Sequence, residues 1–137
     1  MKLTYILLLS GDIPAAVRFW RDVMRLPLTF SDEKVGYAAF DIGYAGLGLS
    51  LYSHEGFAAL LGEATPAPTP QGNAISLSFQ VDDVNATYSD LVGRGARSVT
   101  QPQDRPEMAT RNAYLSDPDD HVFEIYALLS GADAPTS

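Results

Sequence analysis

The sequence contains no cysteine and only two histidines among its 137 residues. The absence of cysteine excludes a disulfide framework, a thiolate metal site and a thiol nucleophile. Basic residues are also scarce, since 9 Lys and Arg stand against 17 Asp and Glu, which gives a net charge of −8. We therefore expect no nucleic-acid partner, because binding to phosphates requires clustered cationic side chains.

Long apolar runs are missing as well. No stretch reaches the roughly 18 apolar residues that a membrane-spanning helix requires. A lysine and a short apolar run stand near the start, but no small-residue cleavage site of a secretory signal follows. We interpret this start as a strand and expect a cytoplasmic protein with no membrane partner. An apolar content of 46% is sufficient for one globular domain with a core.

A strand–helix–strand pattern occurs twice along the chain. Asp12 is typical of a helix N-cap, with Pro14 in the first turn, and Pro27 is expected to end that helix. In the second copy, Asp82 or Asp83 takes the N-cap position. The predicted strands and short helix lie at 3–9, 28–30, 36–42, 47–52, 57–61 (helix), 75–81 and 98–100, and in a hairpin from Tyr114 to Tyr126.

The two copies align with a shift of 71 residues in the first strand and helix, and of 74 in the later strands. We therefore predict an α+β fold in which two tandem βαβββ modules form a curved half-barrel sheet around a cleft, with the helices outside. A single domain at 1–130 contains both modules. Its divisions are module one at 1–62, a Pro-rich linker at 63–72, module two at 73–130, and then a flexible tail at 131–137.

A carboxylate interrupts the second strand of the predicted hairpin. The turn Asp117–Asp120 separates two apolar segments, and Glu124 then lies between Val122 and Tyr126 on one face of the strand. Carboxylates are rarely placed among apolar residues without a partner or a role. Glu124 is thus a candidate general base or an anchor for a cationic ligand. A structural carboxylate satisfied by neighbouring donors is the alternative.

Three short motifs give the sequence a family resemblance. They are Gly11-Asp12-Ile13 leading to Phe19-Trp20, then Val81-Asp82-Asp83-Val84, and Asp117-Pro118-Asp119 before Glu124. In this order the chain resembles the vicinal oxygen chelate superfamily over residues 1–128. That group includes glyoxalase I, extradiol dioxygenases, and bleomycin- and fosfomycin-resistance proteins.

One position departs from the pattern of the family. Asp120 stands where the family usually has glycine. If the turn requires a positive φ there, aspartate is among the better non-glycine residues, at a cost of roughly 1 kcal/mol.

The resemblance also implies four positions for metal ligands. Carried over, they fall on Tyr5, Ser50, Ser76 and Glu124, and the shifts of the internal repeat pair the same four residues. A phenol, two hydroxyls and one carboxylate make a poor site for Zn²⁺, Ni²⁺ or Fe²⁺. His121 should point to the face opposite Glu124. We therefore predict no metal or other cofactor. A divalent metal with unusual or partner-supplied ligands is the alternative.

These features favour a small-molecule-binding protein of the bleomycin-resistance-like type, holding a cationic or aromatic ligand in the cleft. The alternatives are a glyoxalase-like lyase, an isomerase or a dioxygenase with non-standard metal ligands or with Glu124 alone as base, and an interaction module with a vestigial cleft. The resemblance also implies a homodimer. The candidate ligand-binding residues are Tyr5, Ser50, Tyr52, Ser76, Ser78, Arg111 and Glu124.

Overall fold

The computed structural model of the protein describes residues 4–61, 75–106 and 109–130. The chain divides into two compact units, Met1–Gly72 and Asn73–Ser137. The linker predicted at 63–72 and the tail predicted at 131–137 lie outside the described residues. Among the described residues, no helix has the length and apolar character needed to cross a bilayer.

Each unit contains strands and helices in a similar order. The first unit has β1 (Tyr5–Ser10), α1 (Ile13–Arg18), a π-helical segment (Phe19–Val23), β2 (Leu28–Asp32), β3 (Tyr37–Asp41), β4 (Gly48–Ser53) and α2 (His54–Leu61). The second has β5 (Leu77–Gln80), α3 (Val84–Gly93), β6 (Arg97–Ser98), β7 (Gln103–Arg105), β8 (Thr110–Ser116) and β9 (Val122–Leu128). The predicted α+β class with two βαβββ modules is confirmed.

The first helix of each unit begins at an aspartate. The carboxylates of Asp12 and Asp83 accept hydrogen bonds of 3.0 Å from the backbone N–H groups three residues ahead. These bonds satisfy backbone donors that a helix leaves without partners in its first turn. The structure thus confirms Asp12 and selects Asp83 over Asp82 for the second N-cap.

The first helix ends earlier than the sequence suggested. Its π-helical continuation stops at Val23, and Arg25 adopts a left-handed conformation with a φ of 58°. The N–H of Leu26 then bonds to the carbonyl of Trp20 at 3.0 Å. This pattern closes a helix C-terminus, so Pro27 follows the stop and does not cause it.

The two sheets have the same strand order. The first is β1-β4-β3-β2, and the second is β5-β9-β8-β6, with β7 also paired to β8. In both sheets the first pair is parallel and the others are antiparallel. The registers also correspond, since Leu7 opposes Ser50 in the first sheet and Ser78 opposes Glu124 in the second. The shifts of 71 and 74 residues found in the sequence relate these two pairs.

One face of each sheet forms an apolar core with its helix. Because side chains alternate along a strand, residues of one parity lie on the helix side and the others on the opposite side. The buried residues on the helix side include Leu8, Phe40, Leu49 and Leu51 in the first unit, and Ala113, Leu115, Phe123 and Ile125 in the second. The opposite faces carry most of the candidate site residues.

Two predictions for the segment before β8 were wrong in detail. The strand expected at 98–100 is Arg97–Ser98, because the N–H groups of Val99 and Thr100 both bond to the carbonyl of Tyr114, which ends the regular ladder. The polar segment 101–110, where the sequence predicted no strand, contains β7. Its strand pairing with β8 makes it regular despite its polar sequence.

Candidate functional site

Glu124 lies in the middle of β9, with only 7% of its surface exposed. Its carboxylate accepts two hydrogen bonds: Oε1 from the hydroxyl of Ser78 at 2.8 Å, and Oε2 from the side-chain amide of Asn112 at 2.7 Å. Ser78 is on β5 and Asn112 on β8, the two strands that flank β9. The buried carboxylate is therefore held from both sides within its own sheet.

Asn112 was missed by the sequence analysis although it is fully buried. The sequence does contain a pattern that could have identified it. Along the strand, every second residue is polar and alternates with an apolar or helix-facing residue; these polar residues are Thr110, Asn112, Tyr114 and Ser116. Such an alternation predicts a polar face on β8. The carbonyl oxygen of Asn112 accepts a hydrogen bond of 3.3 Å from Nε of Arg105. The amide thus connects a guanidinium on β7 with the carboxylate on β9.

The first unit has a corresponding arrangement with different chemistry. Ser50 holds the register position of Glu124, and it is fully buried. Its hydroxyl shares a hydrogen bond of 2.8 Å with the phenol of Tyr37. Tyr37 opposes Tyr52 on β4, just as Asn112 opposes Tyr126 on β9. In each unit a side-chain hydrogen bond therefore runs diagonally between corresponding strands, β3 and β4 in the first and β8 and β9 in the second. Only the bond in the second unit involves a charged group.

Aromatic rings surround the predicted residue Tyr52. Tyr37 and Tyr52 meet edge to face, with ring centroids 5.7 Å apart. Phe30 on β2 lies 6.0 Å from Tyr37, and Phe57 on α2 lies 6.2 Å from Tyr52. Phe30 is 54% exposed. Three rings of the first sheet and one of α2 therefore form a row of aromatic contacts beside Ser50.

Two further predicted residues lie at, or just before, the start of a strand, Tyr5 in β1 and Ser76 before β5. Tyr5 is 58% exposed and opposes Gly48 on β4. The hydroxyl of Ser76 donates a 2.9 Å hydrogen bond to the backbone carbonyl of Val122. Within the second unit, the bond to Glu124 therefore comes from Ser78 and not from Ser76, although both were predicted.

Arg111 lies on the other face of the second sheet from Glu124. It opposes Ala127, whereas Asn112 and Glu124 belong to the alternate residues of their strands. Its guanidinium donates to Asn85 on α3 at 3.0 Å and pairs with Asp104 on β7 at 2.9 Å. The structure therefore does not bring Arg111 to Glu124.

The four positions that the resemblance implies as metal ligands do not fit a transition-metal ion. Tyr5, Ser50 and Ser76 are neutral oxygen donors, and Glu124 is the only anionic one. None of the four supplies an imidazole, and zinc, nickel and iron sites in proteins are built from imidazole, thiolate and carboxylate groups. The carboxylate also already accepts two hydrogen bonds.

His121 lies in the turn between β8 and β9, away from the strand position of Glu124. Its Nδ1 lies 2.7 Å from Oδ2 of Asp117, a fully buried residue. The pKa of His121 is raised, mainly by the hydrogen bond to Asp117 and further by the nearby Asp119 and Asp120 carboxylates, while burial opposes the shift. The contact between His121 and Asp117 closes the hairpin turn.

A groove in the first unit is lined by none of the candidate site residues. It has a volume of about 690 Å³ and runs between α1 and β2. Arg21 on its rim is already paired with Asp22 at 2.8 Å. The Glu124 network is the stronger candidate for ligand binding, because a buried carboxylate with acceptor positions left over can bind the donor groups of a ligand. The groove is lined by Ile13, Pro14, Val17, Arg18, Arg21, Leu28, Ser31 and Glu33.

Comparison with known proteins identifies the family of this chain. Residues 6–126 match the model of the glyoxalase-like domain. The YraH protein of Bacillus subtilis (strain 168) is 37% identical over 132 residues, covering 94% of this chain and all of YraH.

Solved structures show the same fold. A glyoxalase/bleomycin resistance protein/dioxygenase from Nocardioides has a TM-score of 0.80 at 22% identity, covering 100% of this chain and 89% of its own. A glyoxalase-related enzyme from Fulvimarina pelagi has a TM-score of 0.78 at 21% identity, covering 99% and 96%. With the motifs and the repeated βαβββ topology, these matches establish that the chain belongs to the glyoxalase-like domain family of the vicinal oxygen chelate superfamily.

Proposed function

We propose that this protein binds a small organic molecule through Glu124 on the second sheet, and that this binding needs no metal ion. The observation that carries the proposal is the hydrogen-bonded network of Ser78, Glu124 and Asn112. It supplies a fixed anionic group at one of the positions where the resemblance implies a metal ligand.

A carboxylate held in this way retains the capacity to bind a ligand. Its two oxygens offer about four acceptor positions, and Ser78 and Asn112 use two of them. Because both neighbours fix the orientation of the carboxylate, a ligand loses little free energy in ordering it. Hydrogen bonds to a charged group in a water-poor site are stronger than those between neutral groups.

The preferred ligand carries a cation or several N–H or O–H donors. Glu124 attracts such groups directly, and the net charge of −8 favours the approach of cations over that of anions.

The test is a fragment screen followed by ¹H–¹⁵N NMR on the full chain. Wild-type protein, Glu124→Gln and Asp82→Asn are titrated with amine-bearing and aromatic fragments such as benzylamine. Asp82 is an exposed carboxylate of the same unit, so its variant removes one charge without touching the network. Fragments should shift the side-chain amide signals of Asn112.

We expect Glu124→Gln to weaken binding about tenfold or more, as for the loss of a charge-assisted hydrogen bond. Asp82→Asn should bind like the wild type. The proposal fails if no fragment shifts the Asn112 signals, or if Glu124→Gln binds as tightly as the wild type.

A further inference from the structure

A buried hydroxyl lies near the Glu124 network without a hydrogen-bond partner. Thr110 is only 3% exposed, and its Oγ1 has no partner among the described residues. Thr110 is two residues before Asn112 on β8, so both side chains lie on the same side of the sheet. Buried polar groups normally have hydrogen-bond partners, so this hydroxyl can take a hydrogen bond from or to a bound water or ligand.

The arginine opposite Thr110 also has unused donors. Arg105 on β7 directly opposes Thr110, and its Nε donates to Asn112. The remaining N–H groups of the guanidinium bond to no described residue, and a guanidinium has five such donors.

The other arginines described in the second unit are all paired. Arg94 binds Asp90, Arg97 binds Asp120, and Arg111 binds Asp104. Among the described residues, no carboxylate forms an ion pair with Arg105. The chain has 17 acidic residues and 9 basic ones, so acidic partners are plentiful. Because Arg105 nevertheless has no ion pair among the described residues and lies on the face of the candidate site, its guanidinium is suited to bind an anionic group of a ligand.

The amide of Asn112 links the two opposite charges. Its oxygen accepts from Arg105, and its nitrogen donates to Glu124 at 2.7 Å. The guanidinium of Arg105 and the carboxylate of Glu124 therefore lie on the same face of the sheet, separated by the side-chain amide of Asn112. The unpaired hydroxyl of Thr110 lies beside Arg105.

We infer that the ligand is a small molecule with a hydrogen-bond donor next to a carboxylate, namely a 2-amino or 2-hydroxy acid. Its ammonium or hydroxyl group bonds to Glu124, and its carboxylate bonds to Arg105 and Thr110. This inference rests on the proposed binding at Glu124 and narrows the class of ligand. Planar carboxylates fit the fork of N–H donors that arginine presents.

The experiment compares matched probes on the full chain by NMR titration. A panel of 2-amino and 2-hydroxy acids, including L-alanine, L-valine and L-lactate, is set against ethylamine and isobutylamine, which lack the carboxylate, and against propionate, which lacks the donor. At least one acid of the panel should bind about tenfold more tightly than its single-group counterparts.

Three variants assign the contacts. Arg105→Gln should abolish the preference for the acid over the amine, while Arg105→Lys, which keeps the charge, should retain part of it. Thr110→Val, which has nearly the same shape, should weaken the acid about threefold and leave the amine unchanged. Arg97→Gln is the control, because this exposed arginine pairs with Asp120 in the hairpin turn, and it should bind like the wild type.

The outcomes separate this inference from the proposed function. If amines bind in a Glu124-dependent way and the carboxylate adds nothing, or if Arg105→Gln keeps the preference for the acid, the inference is overturned while the proposed function stands. If no probe of either type binds at Glu124, both fail.

Discussion

At the scale of single residues, Asp120 shows the cost of a turn without glycine. Its φ is 64°, in the left-handed region, where a side chain crowds the following carbonyl. The N–H of Asp120 bonds to the carbonyl of Asp117 at 3.1 Å, which closes the turn and holds this conformation. Its carboxylate pairs with Arg97, but both side chains are more than half exposed, so the pair contributes little.

We expect Asp120→Ala to be less stable than Asp120→Gly by about 1 kcal/mol, because only glycine adopts a positive φ without strain. Both variants lack the pair with Arg97, so each serves as the control for the other. The measurement is urea unfolding, with the difference in midpoint read at an unchanged slope. Equal midpoints for the two variants would contradict the assigned strain.

The sequence identified Glu124 and Asp120 but missed Asn112 and Tyr37. A charged residue between apolar neighbours on one strand is visible without a structure, and so is a glycine position held by aspartate. The hydrogen bonds from Asn112 to Glu124 and from Tyr37 to Ser50 run diagonally between strands. They depend on register, and a shift by one residue would move each side chain to the other face.

At the scale of elements, the hairpin between β8 and β9 is held by a pair of side chains. Asp117 accepts hydrogen bonds from the N–H groups of Asp119 and His121, at 3.0 and 2.8 Å, and contacts the His121 ring. The raised pKa of His121 means that the folded state binds the proton more tightly than the unfolded state does. The pair therefore stabilises the fold most when His121 is protonated.

The stability of the protein should depend on pH through this pair. Its contribution is fully present below the ordinary histidine pKa of 6.5 and is lost as pH rises through the raised pKa of the folded state. The advantage of wild type over His121→Gln should thus be constant at acid pH and shrink across the range above about pH 6.5. Thermal unfolding across that range measures it.

The control for this experiment is the second histidine, since His54→Gln changes an exposed residue of α2 in the other unit. Its pH profile should follow that of the wild type. An advantage of wild type over His121→Gln that stayed constant, or grew with pH, would show that the assigned direction is wrong.

Helix starts were easier to predict than short strands. The N-caps at Asp12 and Asp83 combine a favourable residue type with a local hydrogen bond, so the sequence carries the whole signal. The strand β7 has the sequence Gln103-Asp104-Arg105, without apolar alternation. Its conformation comes from pairing with β8, a contact that no local pattern reveals.

At the scale of the whole molecule, two copies of one topology carry different chemistry. The diagonal bond joins two neutral hydroxyls, Tyr37 and Ser50, in the first unit, and an amide and a carboxylate, Asn112 and Glu124, in the second. Repetition explains why the fold could be predicted from two aligned segments. The divergence explains why the candidate site could be predicted only in part, since the second copy has the carboxylate of Glu124 where the first has the hydroxyl of Ser50.

We expect the protein to form a homodimer, as the family resemblance implies. Among the described strands, β2 lies at the edge of the first sheet and pairs with β3, and its residue Phe30 is 54% exposed. An edge strand of this kind favours association with another chain. Light scattering during size-exclusion chromatography should give twice the chain mass of 14.8 kDa. A mass of one chain at all concentrations would contradict the prediction.

We propose that ligand binding depends on Glu124 and not on a bound metal ion. Calorimetric titration of the tightest probe into protein freed of metal by EDTA tests it most directly, with Glu124→Gln measured alongside. We expect full binding by the metal-free wild type and a loss of affinity of about tenfold or more in Glu124→Gln. Binding that appears only after Zn²⁺, Ni²⁺ or Fe²⁺ is restored would contradict it.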